Sequence, residues 1–502
     1  MRRITRREVI RGAITGATLT GLGAPVVQRA SRLMAASVNA QVNVAIIGLG
    51  GIDIPGGVGG RGRQLIAALK NVPQANIVAI CDVDETTLGV EATKLKRPGK
   101  NVKTYTDMRR VFDLQDVDAV FIATPNHWHA LATIWACQAG KDVYVEKPFS
   151  HNIWEGRQML AIAKQTSRIL QVGTQRRSSD GLKRAFEYLH AGNLGAIRCA
   201  RAIVYRPRDG IGKISAPTAV PKGVDYDLWC GPTAMTAIRR PQFHYEWHWF
   251  WATGNGEIGN NGAHELDVCR WAIGQDTAPP RAISIGGRFG VDDCAETPNT
   301  HIAVLDYQPA PIICEIRNWR SSRAATAIGD FQGMTRGTIV ECEGGTFRGD
   351  ISGGKIFDNN SRQIEEFLDG GSDREIETKH VANFVQAVQS RDSTQLSAAG
   401  REGHLSAACC HMANISHRLG AQRSPNQIKE QLAESARLAD AFERCQSYLA
   451  ANNIDLSKSQ ATIGPWVSLD TDREVYIGDH ADQANQLSLR EYRKPFVVPE
   501  VA

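Results

Sequence analysis

An α/β chain that opens on a doubly wound parallel sheet is the fold class this sequence predicts, from three observations. The apolar run "VNVAII" (Val42 to Ile47) leads directly into the glycine-rich "GLGGIDIPGGVGGRGRQ" (Gly48 to Gln64). "RQLIAALK" then follows with helical spacing. Strand, glycine turn and helix in that order open a dinucleotide-binding βαβ unit. From Val42 to about Gln175, strand-like and helical runs keep alternating. That is the pattern of a parallel sheet covered by helices on both faces.

The elements follow in order. "NIVAICDVD" (Asn76 to Asp84) is a second strand; "VDAVFIATP" (Val117 to Pro125), "DVYVEKP" (Asp142 to Pro148) and "RILQVGTQ" (Arg168 to Gln175) are later ones. Their apolar runs are nearly continuous, as strands buried on both faces require. "HALATIWACQAG" (His129 to Gly140) and "NIWEGRQMLAIAKQTS" (Asn152 to Ser167) are helices between them, the first ended by Gly140 as its C-cap.

The glycine fingerprint G-x-G-x-x-G has two possible registers. Started at Gly48, it puts Asp53 where the third glycine belongs. Started at Gly57 it fits through Gly59 and Gly62, but nine residues separate it from the strand. Asp82 decides between them. It ends the second strand 20 residues past Gly62, where a carboxylate accepts hydrogen bonds from the adenosine ribose. Gly62 is therefore the third glycine, packing helix on strand; Gly48 makes the turn off the strand, with Gly50 after it. Without most of "GIDIPGGVG" (51–59), "GLG" joins "GRG", so that stretch is an inserted excursion. No arginine follows Asp82 (Val83, Asp84 and Glu85 do), which favours NAD over NADP.

A length of 502 residues exceeds one ordinary domain, and 42% hydrophobic with 22% charged residues describes a globular chain. A net charge of +5 without a clustered basic face excludes a dedicated nucleic-acid binder. "TRREVIR" (Thr5 to Arg11), the uncharged "GAITGATLTGLGAPVV" (Gly12 to Val27) and the small-residue "VNA" (Val38 to Ala40) form a twin-arginine export signal over 1–40, cleaved before Gln41. The expected location is periplasmic or otherwise extracytoplasmic, with no stable membrane insertion once the signal is removed. Eleven cysteines show no C-x-x-C spacing. Twin-arginine substrates fold before export, so these are expected to be buried free thiols.

"ATPNHWHA" (Ala123 to Ala130) and "EKP" (Glu146 to Pro148) end two of the strands. Carboxyl ends of such strands face the ligand crevice, which places Thr124, Asn126, His129, Glu146, Lys147 and Gln175 beside the cofactor. Together these stretches resemble the Gfo/Idh/MocA oxidoreductase family, well from Asn43 to Gly274 and more loosely beyond. "DLWCGP" (Asp227 to Pro232) and "YRKPFVVPE" (Tyr492 to Glu500) resemble its exported subgroup.

The resemblance implies a Rossmann NAD-binding domain over 41–175. It also implies an α+β substrate and oligomerisation domain over 176–420, with a large open, mostly antiparallel sheet. "IRCARAIVYRPR" (Ile197 to Arg208), "HIAVLDY" (His301 to Tyr307) and "PIICEIRNW" (Pro311 to Trp319) agree as strands. "HVANFVQAVQSRD" (His380 to Asp392) and "AAGREGHLSAACCHMANISHRLG" (Ala398 to Gly420) agree as helices. Residues 421–502 should hold one more helix and, beyond about Asn453, an irregular tail wrapping the surface. Assembly as a dimer or tetramer is implied.

In "GNGEIGNNGAHELDVCRW" (Gly254 to Trp271) the resemblance puts His264 against the nicotinamide, with Asp267 one turn later. Asn260 stands in the substrate site, where many members carry aspartate. The chemistry suits these types. A neutral imidazole accepts a hydroxyl proton near pH 7, and cationic Lys147 polarises the same oxygen. Trp247, within "FHYEWHWFW" (Phe243 to Trp251), offers a ring for a sugar face. Arg176 and Arg177 either clamp an acidic sugar or face solvent. The pairs His127/His129 and His244/His248 have ligand spacing, but no Cys or acidic set completes either, so no metal is expected.

The expected activity is NAD-dependent oxidation of a sugar hydroxyl. One alternative is a glycoside hydrolase that oxidises transiently with tightly bound NAD, eliminates and re-reduces. A second is a non-catalytic sugar-binding protein with structural NAD.

Overall fold

The computed structural model describes residues 41–52, 59–98, 101–432 and 435–501. The expected export signal, 1–40, and most of the glycine-loop excursion, 53–58 with Gly57, lie outside the described residues.

Six parallel strands make the first sheet: β1 (Val42–Ile47), β2 (Ala75–Cys81), β3 (Lys103–Tyr105), β4 (Ala119–Ile122), β5 (Asp142–Val145) and β6 (Leu170–Val172). Their spatial order is β3-β2-β1-β4-β5-β6. The order reverses between β1 and β4, the switch point where such sheets bind ligands. β4 and β5 are buried along their whole length, as their unbroken apolar runs require. β3, "KTY", has no apolar run and forms an edge the sequence pattern does not reveal.

The helices between these strands are α1 (Arg61–Leu69), α2 (Glu85–Leu95), α3 (Met108–Phe112), α4 (His129–Gln138) and α5 (Ile153–Gln165), followed by α6 (Asp180–His190). Asp84 caps α2 and Asn152 caps α5 through their side chains. The N-cap of α1 is Gly60, without a capping side chain. Its first amides therefore remain available to a ligand.

The second sheet has twelve strands: β7 (Ile197–Tyr205), β8 (Arg281–Gly287), β9 (Thr300–Leu305), β10 (Ile312–Arg317), β11 (Arg336–Cys342), β12 (Gly345–Asp350), β13 (Gly353–Asp358), β14 (Gln363–Leu368), β15 (Ala421–Arg423), β16 (Ala461–Ile463), β17 (Val467–Asp470) and β18 (Val475–Ile477). The path runs β14-β13-β12-β11-β7-β10-β9-β8-β16-β15, with β17 on β8 and β18 on β17. Every pairing is antiparallel except β7 with β10. Its helices are α7 (Tyr226–Cys230), α8 (Ala263–Ala272), α9 (Asp373–Ser390), α10 (Gly400–Arg418), α11 (Pro425–Gln431), α12 (Ala436–Ala451) and α13 (Ala481–Leu487), so the described part of 421–502 holds three helices where one was expected.

Alternate residues of this sheet point to opposite faces, and both faces are covered in its central part. Ala303, Leu305, Cys314 and Ile316 pack against Leu266 of α8 and Met412 of α10. Ile283, Ile285, Ile302 and Val304 pack against Leu438, Phe442 and Leu449 of α12. The sheet is open at its edges, yet this outer face carries a helical cover.

Three expectations about the chain's later half are corrected. Residues beyond Asn453 are not irregular throughout, because β16, β17 and β18 add strands to the sheet. The far tail returns to the first domain, where Phe496 packs edge-on to Trp128 at 5.5 Å and Val498 joins the same core. The linear boundary at 175 also fails to contain the first core: Val381, Phe384 and Val385 of α9 close the face shared by Leu65 of α1 and Phe121 of β4. All eleven cysteines are free, ten of them buried.

Candidate cofactor and substrate cleft

A cavity of about 330 Å³ lies at the carboxyl ends of β1, β2, β4 and β5, facing the end of β7 and the segment 244–261. Gly48 leaves β1 at φ +87°, and a Cβ there would lie 2.7 Å from the Ala123 carbonyl oxygen. A Cβ on Gly62 would overlap the carbonyl oxygen of Gly48, so α1 sits against the strand end only as glycine. The backbones of Gly50 and Gly59 meet. The two ends of the excursion therefore close on each other beside the turn, and both line the cavity.

Asp82 also lines the cavity. Its Oδ2 accepts from the Leu49 amide at 2.6 Å and its Oδ1 from the Asp84 amide at 2.9 Å. Burial raises its pKa against the pull of these two bonds. Each oxygen keeps further acceptor capacity, so the carboxylate braces the glycine turn and still has room for ribose hydroxyls.

Arg61 opens α1. Its Nε donates to Glu146 Oε1 at 2.7 Å, and it also pairs with Glu377 of α9. Arg61 Nη2 and Thr124 Oγ1 are buried without a hydrogen-bond partner. Both residues line the cavity. Glycine cradle, uncapped helix, orphaned donors and a partly free acid together fit a dinucleotide.

The remaining strand-end residues divide. Asn126 lines the cavity and donates to Asn255 Oδ1 at 2.8 Å. Glu146 lines it as the counter-charge of Arg61. His129 does not. Its ring is spent bridging Pro148 O at 2.7 Å and Thr124 O at 3.0 Å, which corrects its expected contact with the cofactor into a brace between two strand ends. Gln175 is half-buried with Oε1 unpartnered, and it too stands outside the cavity lining.

At the chemical end, Lys147 Nζ donates to Asn260 O at 3.0 Å and to Asn260 Oδ1 at 3.1 Å. Burial lowers the lysine to about 8, partly offset by the negative charge of Glu146. Asn260 belongs to a π-helical turn (Ile258–Gly262) that runs directly into α8. Such turns occur mostly at functional sites. Glu257 organises it, accepting from Asn260 Nδ2 at 3.3 Å and from Asn261 while pairing with Arg208 at 3.1 Å.

His264 follows Asn260 by four positions. Burial, then the charge of Lys147 and Arg176, hold its ring well below the usual histidine pKa, so it is a neutral imidazole. Its Nδ1 has no hydrogen-bond partner. The cavity wall runs through Asn260 and Asn261 and stops one turn short of it.

Two substrate-end expectations are corrected. Asp267 is buried and saturated: Arg177 Nε donates to it at 2.9 Å and Ser406 Oγ at 2.7 Å. It anchors α8 and takes no part in the cleft. Arg176 is buried and binds both oxygens of Glu265, and Arg177 is committed to Asp267, so neither arginine is a clamp. Trp247 does line the cavity, stacked on His248 at 3.6 Å between ring centres.

Arg206, Arg208 and Tyr245 line the cavity without having been singled out, and His244 and His248, weighed only for metal spacing, line it too. The signal was present as "YRPR", two arginines on the chain leaving a predicted strand.

Comparison with known proteins bears on this geometry. The family model GFO_IDH_MocA, an oxidoreductase family with an NAD-binding Rossmann fold, matches residues 42–174. The model for that family's C-terminal alpha/beta domain matches residues 210–313. Inositol 2-dehydrogenase/D-chiro-inositol 3-dehydrogenase of Lacticaseibacillus casei is 29% identical over 47% of this chain and 66% of its own length. A glycosyl hydrolase family 109 protein of Shewanella putrefaciens is 28% identical over 34% of this chain and 39% of its own. The matched stretches thus span less than two thirds of either relative. Levoglucosan dehydrogenase, solved in complex with NADH, superposes with a TM-score of 0.55 at 16% identity, covering 74% of this chain and 96% of that one. Such a likeness shows the shared fold. Over two stretches, 42–174 and 210–313 in that order, the chain is thus similar to the two domains of the Gfo/Idh/MocA oxidoreductase family.

Proposed function

We propose that the protein is an NAD-dependent oxidoreductase acting on a hydroxyl of a sugar or sugar derivative. The observation that carries the reading is Lys147, a half-buried cation held by Asn260 one turn before the neutral ring of His264. The glycine turn at Gly48 and Gly50, the amides of α1 and the carboxylate of Asp82 would hold NAD. When bound, the cofactor accepts the hydride from the carbinol carbon.

This chain's residues handle the oxygen. Lys147 Nζ donates to the reacting hydroxyl and stabilises the negative charge that develops there. His264 takes the hydroxyl proton, which its neutral ring is able to do. Asn260 orients Lys147, and the ring of Trp247 supports the apolar face of the sugar.

Single-turnover reduction of bound NAD by an accepted sugar tests this. Lys147→Ala and His264→Ala should each slow it by roughly 10²–10⁴-fold with cofactor occupancy retained. A near-normal rate in fully loaded His264→Ala protein removes its role as base.

The similarity to a glycosyl hydrolase family 109 protein favours a second reading, hydrolysis through transient oxidation. Release of an aglycone without net accumulation of reduced cofactor distinguishes it. Export by the twin-arginine route is proposed from "TRREVIR"; Arg6→Lys with Arg7→Lys should trap the protein in the cytoplasmic fraction.

A further inference from the structure

Four arginines lie near the substrate end, Arg206 and Arg208 lining the cavity and Arg176 and Arg336 close enough to act on the His264 ring, and three are matched by acids. Arg208 pairs with Glu257 at 3.1 Å, Arg176 with Glu265, and Arg336 with the same Glu265 at 3.3 Å. Arg206 differs. It follows β7 directly, lines the cavity and is half-buried, yet its guanidinium makes no ion pair or hydrogen bond among the described residues. Burial and the charge of Arg208 disfavour its cationic form, and Glu257, already paired with Arg208, offsets this only in part and from beyond bonding distance. Lys147, across the cavity, bonds only the uncharged oxygens of Asn260.

Glu257 and Glu265, the carboxylates nearest this end, are already held by arginine. A half-buried cation without a counter-ion is unfavourable, and oxidised nicotinamide would add further positive charge. The cleft therefore lacks an anion at this end. The phosphates of the cofactor belong elsewhere, at the glycine turn and the amides of α1.

We propose that the substrate is a sugar bearing an anionic group, carboxylate or phosphate, which Arg206 binds while Lys147 addresses the reacting hydroxyl. A planar guanidinium fork suits either anion in two-point contact. The proposal rests on the sugar reading of this same cleft and names the class of sugar.

The test uses the intact NAD-loaded protein and matched probes: D-glucuronate and D-glucose 6-phosphate against D-glucose, and D-galacturonate against D-galactose. Binding is read by tryptophan fluorescence and turnover by reduction of bound NAD. The anionic member of a pair should bind at least about tenfold tighter at low ionic strength, with the advantage shrinking as salt is raised. Arg206→Gln should remove most of that advantage, and Arg206→Lys should restore part of it. Comparison of carboxylate with phosphate probes identifies the anion.

Equal binding of neutral and anionic members overturns the proposal. So does an unchanged ratio in Arg206→Gln, or a loss of NAD affinity in its place, which would give the arginine to the cofactor. Preferential anion binding without cofactor reduction by any probe leaves the anion subsite standing and sinks the dehydrogenase reading.

Discussion

Replacing Lys147 by methionine should stabilise the protein at neutral pH while stopping its chemistry. Burial lowers this lysine from 10.5 to about 8. At about 1.36 kcal/mol per pH unit, that depression disfavours the folded state by about 3 kcal/mol at pH 7. Methionine fills the same channel without a charge. It also leaves Asn260 O and Oδ1 without their donor, a loss of about 1 kcal/mol for each bond. The variant should therefore be more stable by about 1 kcal/mol at pH 7.

The sign reverses with pH. A cation whose folded pKa lies below its unfolded one carries the full penalty below the folded value, and sheds it as pH climbs from about 8 toward 10.5. At pH 9.5 about 1 kcal/mol of penalty remains, less than the two lost bonds, and the variant becomes the less stable protein. Urea melts of both proteins at pH 7 and pH 9.5, without cofactor, read the crossing directly. A destabilised variant at pH 7, or a difference independent of pH, refutes the reasoning. With substrate, the wild-type single-turnover rate should fall toward tenfold per unit above about pH 8 as Lys147 loses its charge.

Other expectations follow from single contacts. Asp82→Ala removes the acceptor of the Leu49 and Asp84 amides as well as the ribose partner; NAD affinity by titration should fall by about 1–3 kcal/mol, and unchanged affinity ends the assignment. Deleting residues 52–58 should retain NAD binding, since Gly50 and Gly59 already meet and loop length carries little entropy; a folded variant that no longer binds NAD would show the excursion to be part of the cradle. Phe496→Ala, at a buried ring packed on Trp128, should lower stability by about 3–5 kcal/mol in denaturant melts; a loss below about 1 kcal/mol would mean the tail is not docked in solution.

The fold was legible where local pattern and burial coincide. β1, β4 and β5 are continuous apolar runs because helices cover them on both faces; β1 keeps its expected ends, while β4 and β5 stop at Ile122 and Val145, short of the expected Pro125 and Pro148. β3 escaped because "KTY" is an exposed edge with nothing to bury on one side. The strands β16 to β18 escaped for a related reason: each has three or four residues, too few for a period to register. What holds them is pairing: β16 with β8 and β15, β17 with β8, and β18 with β17, and β8 lies more than 170 positions earlier in the chain. The cover supplied by α9 to the first sheet and by α12 to the second is likewise long-range, and an amphipathic helix does not name the sheet it will meet.

In the cleft the same division separates backbone from side chain. Gly48, Gly62 and Asp82 were legible because their work is geometric, and geometry of that kind needs a residue type at a fixed offset from a strand. Arg176 and Arg206 show the opposite case. Both follow a strand and both carry the same charge, so spacing cannot rank them. The difference lies in Glu265, which α8 brings against Arg176 from 89 positions away, while among the described residues no carboxylate bonds Arg206. A binding arginine is thus recognised by the acid it lacks. The same logic retires Asp267, whose type suits catalysis and whose carboxylate is already consumed by Arg177 and Ser406. It also retains Lys147, whose partners on Asn260 carry no charge and leave its own charge for the substrate.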